Sequence, residues 1–286
     1  MSLLDFDAPP DSYAVMGNPI AHSKSPTIHQ LFAKQTGQRL AYQAILVDLG
    51  GLENAVGNFV GNQGKGLNIT VPFKEDAYRL ATTLSKRARR AEAVNTLKFN
   101  ADGSLYGDNT DGVGLVRDLT QNHGLELENK KILILGAGGA VKGMLEPIMA
   151  SKPDSIVIAN RTVTKAERLA IAFEDMGTIR GCGYEMLNEM GGFDLIINGT
   201  AASLKGELPP VPESVITPES VCYDLMYATE PTSFMQWCLQ LGAHNCVDGL
   251  GMLVEQAAES FFLWRGIYPD TASVIEKIRS ALIANY

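Results

Sequence analysis

The stretch from Lys131 to Leu135 is a short run that is continuously apolar after Lys131, and a glycine-rich segment, Gly136-Ala137-Gly138-Gly139-Ala140, follows it without a break. A run of this length is typical of a strand buried on both faces of a parallel sheet. A helical pattern then extends to about Ser151. A glycine turn between a buried strand and a helix lets backbone amides approach a phosphate group. The pattern therefore predicts a doubly wound α/β domain with a dinucleotide at the turn; a purely structural turn is the alternative.

A second feature about twenty residues later bears on which dinucleotide is bound. Enzymes that use NAD place an Asp or Glu at the end of the next strand, against the ribose hydroxyl. Here the sequence is Asn160-Arg161-Thr162, with Lys165 one turn later. Because a guanidinium pairs with a 2′-phosphate and a carboxylate repels it, the sequence predicts NADP. The alternative is that Arg161 and Lys165 are solvated charges at a helix start.

Strands and helices alternate along the rest of the chain, which is typical of parallel sheets covered by helices. In the first part we predict strands at 13–16, 42–47 and 66–71, a helix capped by Ser25, helices near 52–60 and after Lys74, and a hairpin of 94–99 with 105–108. In the second part we predict a connecting helix at 111–124, strands at 156–159, 194–197 and 221–225, and a helix at 164–176. Two helices and no strong strand are expected after Gly249.

Charge and composition exclude several classes of protein. The net charge of −8 and the pI near 5.1 argue against general binding of nucleic acid, so an anionic ligand must meet local positive groups. The histidines and cysteines lack metal-site spacing, and we expect no metal. The acidic start lacks the features of a signal peptide, no apolar run approaches membrane length, and unpatterned cysteines suit a reducing compartment. We expect a cytoplasmic protein.

Polar groups near the ends of the first strands indicate a second ligand. Ser23 and Ser25 place two hydroxyls at the mouth of a helix, where a carboxylate could bind; plain capping by Ser25 is the alternative. Further polar groups lie beside later strands, and together they suit a ligand with many hydroxyl groups: Asn68, Thr70, Lys74, Asn95 and Asp111. Taken singly, the Asn and Thr side chains could be the solvent face of a strand, and Lys74 a surface lysine.

Seven segments, in order, resemble the shikimate dehydrogenase family. They are SKSP at 23–26, NITVPFK at 68–74, AVNT at 93–96, GDNTDG at 107–112, GAGGA at 136–140, NRT at 160–162 and DGLGMLVEQAA at 248–258. The resemblance implies a two-domain α/β fold, in which a Rossmann-type doubly wound nucleotide-binding domain (111–248) is inserted into a substrate-binding domain (1–110). The C-terminal helices (249–286) would return to the substrate domain.

The resemblance also implies residue roles. Ser23 and Ser25 would hold the substrate carboxylate, with Tyr227 nearby, and the ring hydroxyls would be surrounded by Asn68, Thr70, Lys74, Asn95, Asp111 and Gln256. Cofactor contacts would come from Gly136, Ala137, Gly138, Gly139, Ala140, Asn160, Arg161, Thr162, Lys165, Thr200, Met226, Gly249 and Met252. Three sites differ from the usual family pattern: Val141-Lys142 in place of Ser-Arg, Lys165 in place of Arg, and Asn198-Gly199-Thr200-Ala201-Ala202 in place of Asn-Ala-Thr-Ser-Ser.

The implied activity is the reversible reduction of 3-dehydroshikimate to shikimate by NADPH, a step of chorismate and aromatic amino-acid biosynthesis. Oxidation of a secondary alcohol needs an acid/base group, for which Lys74 is the candidate, held by Asp111. The alternatives are a quinate or dual quinate/shikimate dehydrogenase, a catalytically silent ligand sensor, and a plain nucleotide-binding domain in an assembly. We expect a small-molecule substrate, no nucleic acid or membrane partner, and a monomer or homodimer.

Overall fold

The computed structural model describes residues 9–200, 202 and 206–284. The N-terminal residues on which the signal-peptide prediction depends lie mostly outside these ranges, and Ala201 also lies outside them. The chain divides into two compact units: Met1–Thr110 with Ala257–Val274, and Asp111–Gln256 with Ile275–Tyr286. The domain boundaries expected from the sequence stay a prediction.

The first unit contains a six-stranded mixed sheet. Its strands are β1 (Asp11–Gly17), β2 (Leu40–Leu46), β3 (Gly66–Ile69), β4 (Thr83–Leu84), β5 (Thr96–Phe99) and β6 (Leu105–Asp108), in the order β2-β1-β3-β5-β6-β4. Its helices are α1 (Ser25–Thr36), α2 (Leu52–Gly61), α3 (Lys74–Leu80) and α4 (Lys86–Ala91). Strand β1 pairs in parallel with β2 and β3, whereas β5 pairs antiparallel with β3 and β6. The predicted hairpin is thus confirmed.

The second unit is a six-stranded, fully parallel sheet. Its strands are β7 (Lys131–Leu135), β8 (Ser155–Ala159), β9 (Ile179–Cys182), β10 (Leu195–Asn198), β11 (Val221–Asp224) and β12 (Asn245–Asp248), in the order β12-β11-β10-β7-β8-β9. Its helices include α5 (Asp111–Arg117), which continues as a π-helical turn, α6 (Gly139–Ala150), α7 (Val163–Ile171) and α8 (Ser233–Gln240). This order is that of the classic dinucleotide-binding fold, so the predicted fold class is confirmed. Helices α9 (Leu250–Arg265) and α10 (Ala272–Ala284) follow.

Burial explains why the apolar run at β7 was informative. Ile132 and Ile134 pack into one hydrophobic cluster and Leu133 and Leu135 into another, on opposite faces of the sheet. All four side chains are fully buried. Because both faces of this central strand are covered by helices, every position from Ile132 to Leu135 must be apolar, and the alternation of a half-exposed strand is lost.

Three strands that were not predicted, one helix end and one helix start differ from the predictions. Strands β4, β9 and β12 lie at sheet edges, where one side needs no partner and a short or polar sequence suffices; β12 reads Asn-Cys-Val-Asp. The helix predicted to extend to Met176 ends at Ile171 and is followed by a short 3₁₀ turn. The prediction that Ser25 caps its helix is wrong, because Ser25 is the first helical residue and Lys24 occupies the cap position.

No helix within the described ranges is long and apolar enough to cross a membrane. Across the same residues, no group of three or more His, Cys, Asp or Glu side chains is arranged to hold a metal ion.

Candidate functional site

The first candidate ligand group, Ser23 and Ser25, lies at the start of helix α1. The Ser25 amide donates to Ser23 Oγ at 3.3 Å, and the Ile28 amide bonds the Lys24 carbonyl. The cap residue Lys24 makes no side-chain capping bond, and the first helical amide bonds Ser23 Oγ instead. The Ser25 hydroxyl does not cap the helix, so the interpretation of Ser25 as a plain capping residue is wrong. The hydroxyls of Ser23 and Ser25 both lie beside a helix N-terminus, which favours negative charge.

Asn68, at the end of buried strand β3, is held by a network of hydrogen bonds. Its Nδ2 donates to Ser260 Oγ at 3.0 Å, to Thr96 Oγ1 at 3.1 Å and to the Asn95 carbonyl at 3.2 Å. Its Oδ1 accepts from the Tyr42 hydroxyl at 2.7 Å. These partners distinguish the amide oxygen of Asn68 from its nitrogen, so the side chain has one defined orientation.

Asn95 belongs to the same buried network. Its Nδ2 donates to Thr110 Oγ1 at 2.9 Å, while its Oδ1 accepts from the Thr110 amide at 2.9 Å and from Thr96 Oγ1 at 2.8 Å. The Ser260 hydroxyl lies 2.7 Å from Thr96 Oγ1. Asn68 and Asn95, which are 27 positions apart in the sequence, are therefore brought together.

Tyr42 is a site residue that the sequence reasoning missed. Its hydroxyl bonds both Asn68 and the side chain of Ser25, and so joins a predicted carboxylate-binding residue to a predicted hydroxyl-binding one. Burial raises the pKa of Tyr42 well above its ordinary value, so the hydroxyl stays protonated and can donate. The available signal was an aromatic residue at an inward position of β2, a strand whose other positions are mostly exposed or half-buried.

The turn after β3 carries Thr70 and Lys74. The Thr70 amide bonds the Met16 carbonyl at 2.9 Å, and the Phe73 amide returns to the Thr70 carbonyl at 3.0 Å. Lys74 opens helix α3, and its carbonyl accepts from the Val94 amide at 2.9 Å. The start of α3 is thus fixed directly beside the segment that carries Asn95.

The other predicted substrate residues belong to the second unit. Asp111 is buried at the first position of α5, and Gln256 lies in α9, where its Nε2 donates to the Leu253 carbonyl at 2.8 Å. Tyr227 follows β11; burial and the nearby Asp248 charge raise its pKa. The proposed pairing of Lys74 with Asp111 stays a prediction.

The candidate cofactor residues of the second unit follow the carboxyl ends of parallel strands, which meet at one edge of the sheet. Strands β7 and β10 are neighbours, yet the chain continues from them in opposite directions across the sheet. This is the topological switch point at which such folds bind ligands. The turn after β7 carries Gly136, Ala137, Gly138, Gly139 and Ala140; the turn after β8 carries Asn160, Arg161 and Thr162, with Lys165 on α7.

The glycines of the β7 turn form an open cradle. Gly136 has φ of +103°, and an added Cβ would lie 3.2 Å from the Gly199 carbonyl oxygen. A Cβ at Gly138 or Gly139 would meet nothing within 4 Å. Gly138 caps helix α6, whose first amides and dipole favour an anion. Open space beside a helix N-terminus fits a pyrophosphate, so these residues fit a dinucleotide.

Arg161 is exposed beside a cavity of about 580 Å³ in the second unit. Tyr184, Asn188 and Pro210 also line this cavity, and burial raises the pKa of Tyr184 while the Arg161 charge opposes that rise. A cationic group at the rim of an aromatic- and proline-lined cavity fits an adenosine with a 2′-phosphate. The sequence reasoning missed the three other residues because they follow β9 and β10 without a recognisable motif.

The remaining predicted cofactor residues lie on the other side of the switch point. Thr200 follows β10, and its hydroxyl and amide both bond Asn198 Oδ1. The Met226 amide donates to Asp224 Oδ1 at 3.1 Å, and the Gly249 amide donates to the Met226 carbonyl at 3.0 Å. Met252 lies in the first turn of α9. The loops after β11 and β12 are therefore tied together.

Comparisons with known proteins identify the family. Family models match at residues 15–97 (shikimate dehydrogenase substrate binding domain), 118–205 (shikimate / quinate 5-dehydrogenase) and 249–279 (shikimate 5′-dehydrogenase C-terminal domain). The shikimate dehydrogenase (NADP(+)) of Alkalilimnicola ehrlichii is 55% identical over 94% of this chain and 98% of its own. The chain belongs to the shikimate dehydrogenase family.

Two solved structures show the same fold. An Ael1 enzyme from Pseudomonas putida is 46% identical, with a TM-score of 0.89 over 93% of this chain and 97% of its own. Shikimate 5-dehydrogenase from Thermus thermophilus, crystallised with NADP(H) and shikimate, is 31% identical, with a TM-score of 0.85 over 95% of this chain and 100% of its own.

One departure from the usual shikimate dehydrogenase pattern has a structural reason. Val141 is fully buried in a core cluster of the second unit, and its Cγ2 lies 2.5 Å from where a Cβ on Gly199 would be. An alanine at position 199, as the family commonly has, would collide with this valine. Val141 and Gly199 therefore form a matched pair across the switch point.

Proposed function

We propose that this protein reduces 3-dehydroshikimate to shikimate with NADPH, reversibly. The observation that carries this proposal is the hydrogen-bonded network of Ser25, Tyr42, Asn68 and Asn95 in the first unit. Oriented amides and hydroxyls in a buried network suit a ring with several hydroxyl groups, and the serine pair at a helix start suits its carboxylate. The names of the relatives support the same substrate.

The cofactor that fits the second unit is NADP. When bound, it supplies or accepts the hydride. Gly136, Gly138 and Gly139 leave room for its pyrophosphate, and Arg161 would pair with its 2′-phosphate.

The residues of the first unit bind and orient the substrate and move a proton. Ser23 and Ser25 hold the carboxylate, and Asn68, Thr70 and Asn95 hold ring hydroxyls. Lys74 Nζ gives a proton to the carbonyl oxygen during reduction and takes it back from the hydroxyl during oxidation. Asp111, Gln256 and Tyr227 complete the proposed substrate set.

We further propose a cytoplasmic location, supported by four free cysteines, and the domain division at residues 110 and 248.

The test is oxidation of shikimate, and separately of quinate, with NADP⁺ or NAD⁺, followed by nicotinamide absorbance. We expect turnover of shikimate with NADP⁺ as the best pair. Lys74→Ala should lower kcat by about 100-fold or more, the usual scale for a general acid/base, while KM changes little. Lys65→Ala, at an exposed lysine just before β3, is the matched control and should behave as wild type.

Each alternative has its own outcome. Better turnover of quinate than of shikimate would replace the proposed substrate. Tight binding of shikimate without turnover would indicate a ligand sensor. An unchanged kcat in Lys74→Ala would remove Lys74 from the proton transfer.

A further inference from the structure

Three of the four cysteines form a thiol cluster in the second unit: Cys222 on β11, Cys238 on α8 and Cys246 on β12. Their side chains hydrogen-bond to one another. The fourth, Cys182 on β9, is buried and lies at the far end of the sheet order from β12. The cluster takes no part in the proposed reaction.

Two members of the cluster occupy paired strand positions that are compatible with a disulfide. Cys222 and Cys246 are direct partners on neighbouring parallel strands, so their side chains project to the same face. Neighbouring strands lie about 4.8 Å apart. Disulfides join Cα atoms about 4.4–6.8 Å apart, so this pair can be bridged without a large backbone movement.

The three thiols differ in access. Cys222 and Cys238 are fully buried, whereas Cys246 is only partly buried and lies on the edge strand of the sheet. A small molecule therefore meets Cys246 first. Hydrogen bonds with Cys222 and, to a smaller extent, with Cys238 lower the pKa of the Cys246 thiol. The lower pKa favours the reactive thiolate at Cys246. Burial raises the pKa of Cys182, which disfavours its reaction.

We propose that Cys246 is an oxidation site for hydroperoxides, with Cys222 as its resolving cysteine. The Cys246 thiolate attacks one oxygen of the peroxide, a sulfur–oxygen bond forms, the O–O bond breaks, and the other oxygen leaves as hydroxide or alkoxide. The Cys222 sulfur then attacks the sulfenic sulfur; the S–S bond forms, the S–O bond breaks, and the hydroxyl leaves with the thiol proton as water. The peroxide is reduced by two electrons and the two cysteines are oxidised. Cys238 assists as a hydrogen-bond donor to the thiolate.

The experiment treats the folded full-length protein with hydrogen peroxide, then blocks remaining thiols under denaturing conditions and analyses non-reduced peptides by mass spectrometry. We expect loss of two of the four thiols and a peptide that joins Cys222 to Cys246, both reversed by a dithiol reductant. Cys246→Ser should abolish the bridge, and Cys238→Ser should retain it but slow its formation several-fold. Cys182→Ser is the matched control and should react as wild type.

Several results would overturn the proposal. They are a rate of thiol loss in Cys246→Ser equal to that of wild type, equal oxidation of Cys182 and Cys246, and a bridge through Cys238 in place of Cys222. Far-UV circular dichroism of each variant separates these outcomes from misfolding. Since no step requires shikimate or NADP, failure here leaves the proposed dehydrogenase activity untouched, and the reverse also holds.

Discussion

At the scale of single residues, the hydroxyl of Tyr42 orients Asn68 through a 2.7 Å hydrogen bond. Tyr42→Phe would leave Asn68 Oδ1 buried without this donor, and a buried polar atom that loses its partner costs about 1–3 kcal/mol. The amide could then rotate and misplace its donors. We expect KM for shikimate to rise about tenfold, with a smaller change in kcat, in steady-state kinetics.

Tyr13→Phe is the matched control for this prediction. Tyr13 on β1 is the direct neighbour of Tyr42, and its hydroxyl accepts a hydrogen bond from Arg265 at 3.3 Å. Among the described residues it makes no hydrogen bond to Asn68. A KM that is unchanged in Tyr42→Phe, with only a lower melting temperature, would assign Tyr42 a purely structural role. The sequence could predict Asn68 from its motif but not Tyr42, because a tyrosine in an alternating strand carries no sign of what its hydroxyl contacts.

At the scale of elements, two glycines of the turn between β7 and α6 have different roles: one is needed for folding and the other for cofactor binding. Gly136 has φ of +103° and abuts the Gly199 carbonyl, so Gly136→Ala should lower the melting temperature by several degrees. Gly138 has open space where a Cβ would be, and a negative φ. Gly138→Ala should therefore fold normally but weaken NADP⁺ binding about tenfold or more, measured by calorimetry. Normal NADP⁺ affinity in Gly138→Ala would remove this turn from the cofactor site.

The same scale shows which elements a sequence can predict. The buried strand β7 was predicted because both of its faces require apolar residues. The edge strands β9 and β12 were missed, since a strand with one neighbour tolerates polar residues and glycine; β9 reads Ile-Arg-Gly-Cys. The capping of α1 was also mispredicted, because Ser-Pro fits either the cap or the first helical turn.

At the scale of the whole molecule, the two-unit α/β architecture followed from the ordered motifs, whereas the packing of buried aromatic groups did not. His29 is fully buried in an aromatic box of the first unit: its ring stacks on Tyr42 at 4.2 Å, with Trp264 at 5.4 Å and Phe32 at 5.8 Å. Within the described residues neither ring nitrogen makes a hydrogen bond of good geometry, although the Asn68 side chain opposes the lowering of the His29 pKa. Periodicity places a histidine on the buried face of α1 but cannot say whether it is charged.

Burial lowers the pKa of His29 from 6.5 to about 3 in the folded protein. Between these values the unfolded chain binds a proton that the folded chain does not, so stability is full above about pH 6.5 and is lost as the pH falls toward 3. The free energy of unfolding should drop by about 1 kcal/mol per pH unit between about pH 6 and pH 4 on account of this group. Urea denaturation followed by Trp264 fluorescence, in a Trp237→Phe background, measures it. His29→Phe keeps an aromatic ring in the box and should reduce the slope of the unfolding free energy against pH by that amount, whatever its effect on stability at neutral pH. The control His244→Gln, at an exposed histidine, should leave this slope unchanged. Equal slopes in wild type and His29→Phe would mean that His29 is protonated in the folded protein.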